Sequence, residues 1–110
     1  MVQNHIPLPM AIAQLPITGD AHKNGGVIRA AMHEASAGKA RLLHFPEGML
    51  SGYAKHQITD WTTVDWQIVR DELESIMALA AQLQHWVVLG SAHPLTPPHW
   101  PHNSLYIISD

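Results

Sequence analysis

The residues best equipped for chemistry in this sequence are Glu47 and a group of histidines near residue 100. Glu47 lies in Phe45-Pro46-Glu47-Gly48, directly after the apolar run Ala40 to Phe45. Open α/β sheets hold their reactive groups just beyond the carboxyl ends of strands. A carboxylate placed there can act as a general base once a proton donor comes within reach. The plainer alternative is a loop carboxylate in solvent, or one that caps a neighbouring helix. His93, His99 and His102 share one stretch, and Zn²⁺ can take three imidazoles. Against a metal, Pro94, Pro97, Pro98 and Pro101 stiffen that stretch, and it contains no carboxylate. The sequence contains no cysteine. That removes a disulfide framework, a thiolate metal site and, within these residues, a cysteine nucleophile.

To place Glu47 at a strand end, the flanking sequence must form a layered α/β unit. Met10 to Leu15 (MAIAQL) is a short apolar run ending at Pro16, suited to a strand buried on both faces. Thr18-Gly19-Asp20 supplies a turn and an N-cap. Val27, Ala31 and Ala35 then recur at helical spacing, with Ile28 and Met32 beside them, which predicts a helix over about 22–37. Gly25 and Gly26 weaken its first turns by about 1 kcal/mol each relative to Ala, and Gly38 is placed to be its C′ residue.

Ala40 to Phe45 is the second predicted strand, and residues 48–64 read as a loop. A second helix is predicted over about 65–84, with Val69, Leu73, Ile76, Met77, Ala80 and Leu83 as its apolar stripe. Asp71, Glu72 and Glu74 put negative charge in its early turns, as the macrodipole favours. Trp86 to Gly90 is a third strand, Ser91 to Asn103 a Pro- and His-rich loop, and Leu105 to Ile108 a fourth strand. The predicted order is β-α-β-α-β-β, which implies parallel strands with helices packed on the sheet.

Composition narrows the function classes. In 110 residues, 46% are hydrophobic and 14% charged, enough apolar content for one core and too much for disorder. The formal charge is −3 with no basic block, so the electrostatic footprint of a nucleic-acid binder is missing. No run approaches the roughly 18 apolar residues of a membrane span. Residues 1–9 have neither the positive nor the apolar segment of a signal peptide and read as an N-terminal extension. A cytoplasmic protein is the expectation.

Taken in order, MAIAQLPITGD, a helix containing Asn24, ARLLHFPEGMLSGY, LAAQLQHWVVLGSA and HNSLYIISD resemble the nitrilase, or carbon–nitrogen hydrolase, superfamily. The resemblance runs from about residue 10 to the last residue, making 1–110 a single partial domain of that type. Its most specific element is Phe45-Pro46-Glu47 with Gly52-Tyr53, supported by Gln14 and Gly90. Two positions depart from the family pattern: His44 stands where an aliphatic residue is usual, and Lys39 where Gly is common.

The resemblance implies the N-terminal part of a four-layer α-β-β-α sandwich and a Glu–Lys–Cys catalytic set acting on an amide, carbamoyl or nitrile carbon, without a metal or cofactor. Glu47 matches the family's base, which a desolvated pocket would hold ready to deprotonate the thiol. The family's Lys and Cys fall beyond the strand ending at Ile108, and neither Lys39 nor Lys55 matches the former. Tyr53 either lines the substrate pocket or is a core or turn aromatic. Asn103-Ser104 is expected to satisfy backbone groups at a strand start rather than meet substrate, and the dispersed Trp61, Trp66, Trp86 and Trp100 are expected to serve packing rather than form a stacking platform. Two function classes follow. In one, these residues belong to a cysteine-dependent hydrolase, a homo-oligomer by family expectation. In the other, they are a non-catalytic module that binds a partner or a full-length relative.

Overall fold

The computed structural model describes residues 5–110; the reading of residues 1–9 as an extension therefore falls in part, at residues 1–4, outside the described residues. The apolar runs form β1 (Met10–Ile12), β2 (Leu42–His44) and β3 (Trp86–His93), and β4 (His102–Ile108) completes one sheet in the order β1-β2-β3-β4. Helix α1 (Ala21–Ala37) connects β1 to β2, and α2 (Trp66–Leu83) connects β2 to β3 after a 3₁₀ turn at Trp61–Thr63. These helical crossovers leave β1, β2 and β3 parallel. The fourth strand differs from the parallel arrangement expected. With no helix before it, β4 returns antiparallel to β3. Seven residue pairs, from Val87↔Ile108 to His93↔His102, form that ladder. It extends both strands into the stretch expected to be loop, which shrinks to residues 94–101.

The helix ends follow from local chemistry. The Asp20 carboxylate accepts from the Lys23 N–H at 3.1 Å, and the Asp65 carboxylate from the Gln67 and Ile68 N–H groups at 3.1 and 3.2 Å. Each such cap contributes about 1 kcal/mol. At the end of α1 the Lys39 N–H donates to the Ser36 carbonyl and the Ala40 N–H to the Ala35 carbonyl, both at 2.9 Å, the pattern of a Schellman motif. Its left-handed residue is Lys39, at φ 63°, while Gly38 has an ordinary φ of −79°. Gly38 is thus the C-cap and not the C′ residue expected.

One sheet face is packed. Leu43, Val87, Leu89 and Ile108 meet Ile28 and Met32 of α1 and Val69, Ile76 and Ala80 of α2. The stripe of α2 departs from expectation at three positions: Met77 is 48% exposed, and Glu72 and Leu79 are buried. The Glu72 carboxylate accepts from the Arg29 guanidinium and bonds the His22 ring at 2.7 Å. Gly25 makes room for it, since a Cβ at Gly25 would collide with that carboxylate. A glycine that costs helix propensity thereby lets two helices approach around an ion pair. Burial pushes the Glu72 carboxyl up, but its hydrogen bonds to Arg29 and His22 outweigh this and hold it below the usual carboxylate range.

The opposite sheet face carries Met10, Ile12, Trp86, Leu105 and Ile107, all exposed, and no described element covers it. The described residues form two layers, one of helices and one of strands. No helix among them is long and apolar enough to cross a membrane.

Candidate active site

Glu47 opens the turn that leaves β2. Phe45 continues the ladder, its N–H donating to the Val88 carbonyl at 2.8 Å, and the chain then bends at Gly48 (φ 68°) and Gly52 (φ 98°). Only residues without a Cβ adopt such angles freely. The turn closes with the Gly52 N–H on the Gly48 carbonyl at 2.8 Å. Three elements brace it. From β3, the Gly90 carbonyl accepts from the Leu50 N–H at 3.1 Å, and the Ala92 N–H donates to the buried Ser51 hydroxyl at 2.8 Å. From α1, the buried Asn24 amide donates to the Leu50 carbonyl at 3.0 Å and to the Thr18 carbonyl at 2.8 Å. From β4, the Asn103 side-chain amide donates to Oε1 of Glu47.

The Glu47–Asn103 contact stands between two hollows. The larger, about 450 Å³, lies against the uncovered sheet face and is lined by Ile12, Gln14, His44, Phe45 and Leu105 together with Glu47 and Asn103. The smaller, about 330 Å³, is lined by Tyr53, Lys55, Trp61 and Pro101, and again by Glu47 and Asn103. The structure therefore brings both sequence-identified residues, Glu47 and Tyr53, to one place. Tyr53 is 37% exposed and lines the hollow, so it is not a core aromatic. Lys55 lines the same hollow, whereas Lys39 lies elsewhere, beside Arg41 and Asp110.

Several expectations need correction. Glu47 is exposed among the described residues. The Asn103 side chain meets the Glu47 carboxylate in place of the backbone groups expected. His44 shares the hollow of Glu47 because both follow the uncovered face of β2. The tryptophans are not all dispersed, since Trp61 and Trp66 stack with ring centroids 6.1 Å apart. His93 binds the Tyr106 hydroxyl at 2.7 Å, and His93 and His102 are a register pair. Among the described residues no three His, Asp or Glu side chains converge as metal ligands.

Sequence reasoning misses Asn103 because it draws the preceding loop too long. Alternation along 102–108 places Asn103, Leu105 and Ile107 on one face and Ser104, Tyr106 and Ile108 on the other, and Ala92 in β3 is the partner of Asn103. With the strand begun at His102, Asn103 must point to the face on which Glu47 stands.

Solved structures share this fold. The amidase from Nesterenkonia sp. aligns with a TM-score of 0.73 at 21% identity, over 91% of this chain and 37% of its own. A double mutant of the amidase from Nesterenkonia sp. AN1 in complex with acrylamide aligns with a TM-score of 0.76 at 19% identity, over 96% of this chain and 41% of its own. The glutamine-dependent NAD(+) synthetase from Cytophaga hutchinsonii aligns with a TM-score of 0.61 at 22% identity, over 84% of this chain and 15% of its own. This chain thus spans under half the length of each. No curated protein matches it in sequence. The carbon-nitrogen hydrolase family matches residues 10–110, nearly the whole chain, and it is to this family that the chain belongs.

Proposed function

We propose that these residues are the N-terminal part of a cysteine-dependent carbon–nitrogen hydrolase acting on non-peptide amide, carbamoyl or nitrile compounds, with Glu47 as general base. The observation that carries this reading is the Glu47 carboxylate, held by Asn103 at the end of an uncovered apolar sheet face and open to a hollow on that face. A base so placed can take the proton of a thiol delivered from the opposite side. The thiolate attacks the substrate carbon and a lysine ammonium stabilises the developing negative charge. From an amide or carbamoyl compound the amine leaves with the proton Glu47 took from the thiol, and water hydrolyses the resulting thioester; a nitrile instead gives a thioimidate that water hydrolyses with loss of ammonia. These 110 residues hold no cysteine, so in this reading the thiol and the lysine come from further chain.

The same reading assigns the uncovered face to the seam of a four-layer α-β-β-α sandwich. Covering Met10, Ile12, Trp86, Leu105 and Ile107 would desolvate the Glu47 hollow as well as the apolar side chains. Acrylamide bound in the Nesterenkonia amidase supports a small amide as the substrate class. The uncovered face also fits the second reading, a module that binds a full-length relative without catalysis.

Hydrolysis assays separate the two. These 110 residues alone should release no ammonia from acrylamide above a Glu47→Gln control. A chain extended through the family's lysine and cysteine should release it readily. Robust hydrolysis by the 110 residues, abolished by Glu47→Gln, would overturn the assignment of roles. An inactive extended chain that binds a full-length relative through the sheet face would favour the second reading.

A further inference from the structure

We infer that Asn103 is a positioning residue for Glu47: its side-chain amide holds one carboxylate oxygen so that the other is presented to the nucleophile. The inference rests on the reading of Glu47 as the base. A glutamate side chain on a turn samples many rotamers, and only a few aim an oxygen at a given thiol. Asn103 donates to Oε1, leaving Oε2 without that contact. An amide is suited to this task. It offers a donor without a charge, so it anchors the carboxylate without neutralising it as an ammonium would.

Asn103 is itself fixed by the sheet. It pairs with Ala92 across the β3–β4 ladder, and the Ala92 N–H is bound to Ser51. The turn is consequently tied to a single register pair at both ends, by its first residue through Asn103 and by Ser51 through Ala92. A one-residue slip of β4 would turn Asn103 to the helical face and release Glu47. Asn103 and Glu47, 56 positions apart in sequence, are thus bridged by a contact that exists only in the correct β4 register.

Two measurements test this. In the 110-residue chain, the Asn103 side-chain amide protons should resonate downfield by NMR and return to exposed-amide positions in Glu47→Ala. In the extended enzyme, Asn103→Leu keeps the bulk but removes the donor, and should lower kcat by about 10- to 100-fold with little change in KM. Asn103→Asp sets two carboxylates against each other and should move the acidic limb of the kcat/KM profile to higher pH. A fall in affinity with kcat intact would make Asn103 a substrate contact and overturn the inference, as would an unmoved acidic limb in Asn103→Asp. If Glu47→Gln itself leaves kcat intact, the base reading fails whatever Asn103 does. If Glu47→Gln is inactive while both Asn103 variants keep a normal kcat and pH profile, only the present inference fails.

Discussion

Gly90 of β3 lies against the backbone of Glu47, so closely that a Cβ built on Gly90 would sit 2.7 Å from the Glu47 Cα and 2.5 Å from the Pro46 carbonyl oxygen. Those neighbours are main-chain atoms and cannot rotate away. Gly90→Ala should therefore displace the turn. A destabilisation of about 1–3 kcal/mol is expected from overpacking, together with chemical-shift changes concentrated at residues 46–50. Urea unfolding and NMR of the variant check both. A Gly90→Ala chain with unchanged stability and an unmoved turn would show that the close approach does not hold Glu47.

The buried carboxylate of Glu72 predicts an acid limb of stability. Its folded pKa is lowered, so in the unfolded chain the group takes up a proton at a higher pH than in the folded one. Its contribution is complete above the unfolded value of roughly 4.3 and is lost as pH falls through the folded value. Glu72→Gln should flatten the stability profile below about pH 4.3. Arg29→Met should destabilise at neutral pH by about 2–4 kcal/mol, because it leaves a mostly buried carboxylate with the His22 ring alone, although Arg29 itself is partly exposed. Chemical denaturation across pH measures both effects.

His85 makes a second pH dependence in a separate window. It is fully buried, and neither ring nitrogen has a hydrogen bond of normal geometry. Burial pushes its pKa down, and the nearby Ala40 backbone opposes this only in part. The unfolded imidazole protonates near pH 6.5 while the folded one stays neutral, so stability should decline as pH falls below about 6.5 and level off below the folded pKa. His85→Leu should abolish the decline that sets in below about pH 6.5 while leaving the Glu72 limb in place. A wild-type profile flat across that interval would contradict the burial of a neutral His85.

The end of α1 carries its glycine one position early for the conformation it adopts. Lys39 sits at φ 63°, where a Cβ costs about 1 kcal/mol or more. Lys39→Gly should raise stability by about that amount. A Cβ on Gly38 would meet only ordinary contacts, 3.5 Å from the Ala35 carbonyl oxygen, so Gly38→Ala should be neutral or slightly stabilising. Thermal melts of the two variants check the register of the cap. The reverse ordering would place the left-handed residue at 38.

How legible this was in the sequence depended on the range of the interactions. The capping aspartates, the alternation of strand and helix and the strand-end position of Glu47 are local signals, and they located most elements. The Schellman register was misplaced by one because Gly38 is the better residue for the left-handed site, while hydrogen bonding to Ala35 and Ser36 assigns it to Lys39. Met77 and Glu72 exchanged roles because the stripe of α2 is set by where α1 lies, and Gly25 admits a carboxylate that hydrophobic periodicity would leave outside. Asn103 and His44 were invisible as site residues because their placement depends on strand register and on which sheet face the helices leave open. No single segment carries that information.

The most direct measurement of the central claim is kcat for Glu47→Gln in a chain extended to include the family's lysine and cysteine. Gln keeps the length and shape of the side chain and an oxygen that can accept from Asn103, but it cannot take a proton at neutral pH. With Glu47 as the base, kcat should fall by roughly 100- to 10,000-fold with a much smaller change in substrate binding. Glu47→Asp should also be impaired, since its carboxylate is withdrawn by one methylene, while Lys39→Gly, remote from the site, should retain activity. A Glu47→Gln enzyme with near-normal kcat would contradict the base assignment, and His44, the titratable neighbour in the same hollow, would be the next residue to examine as base.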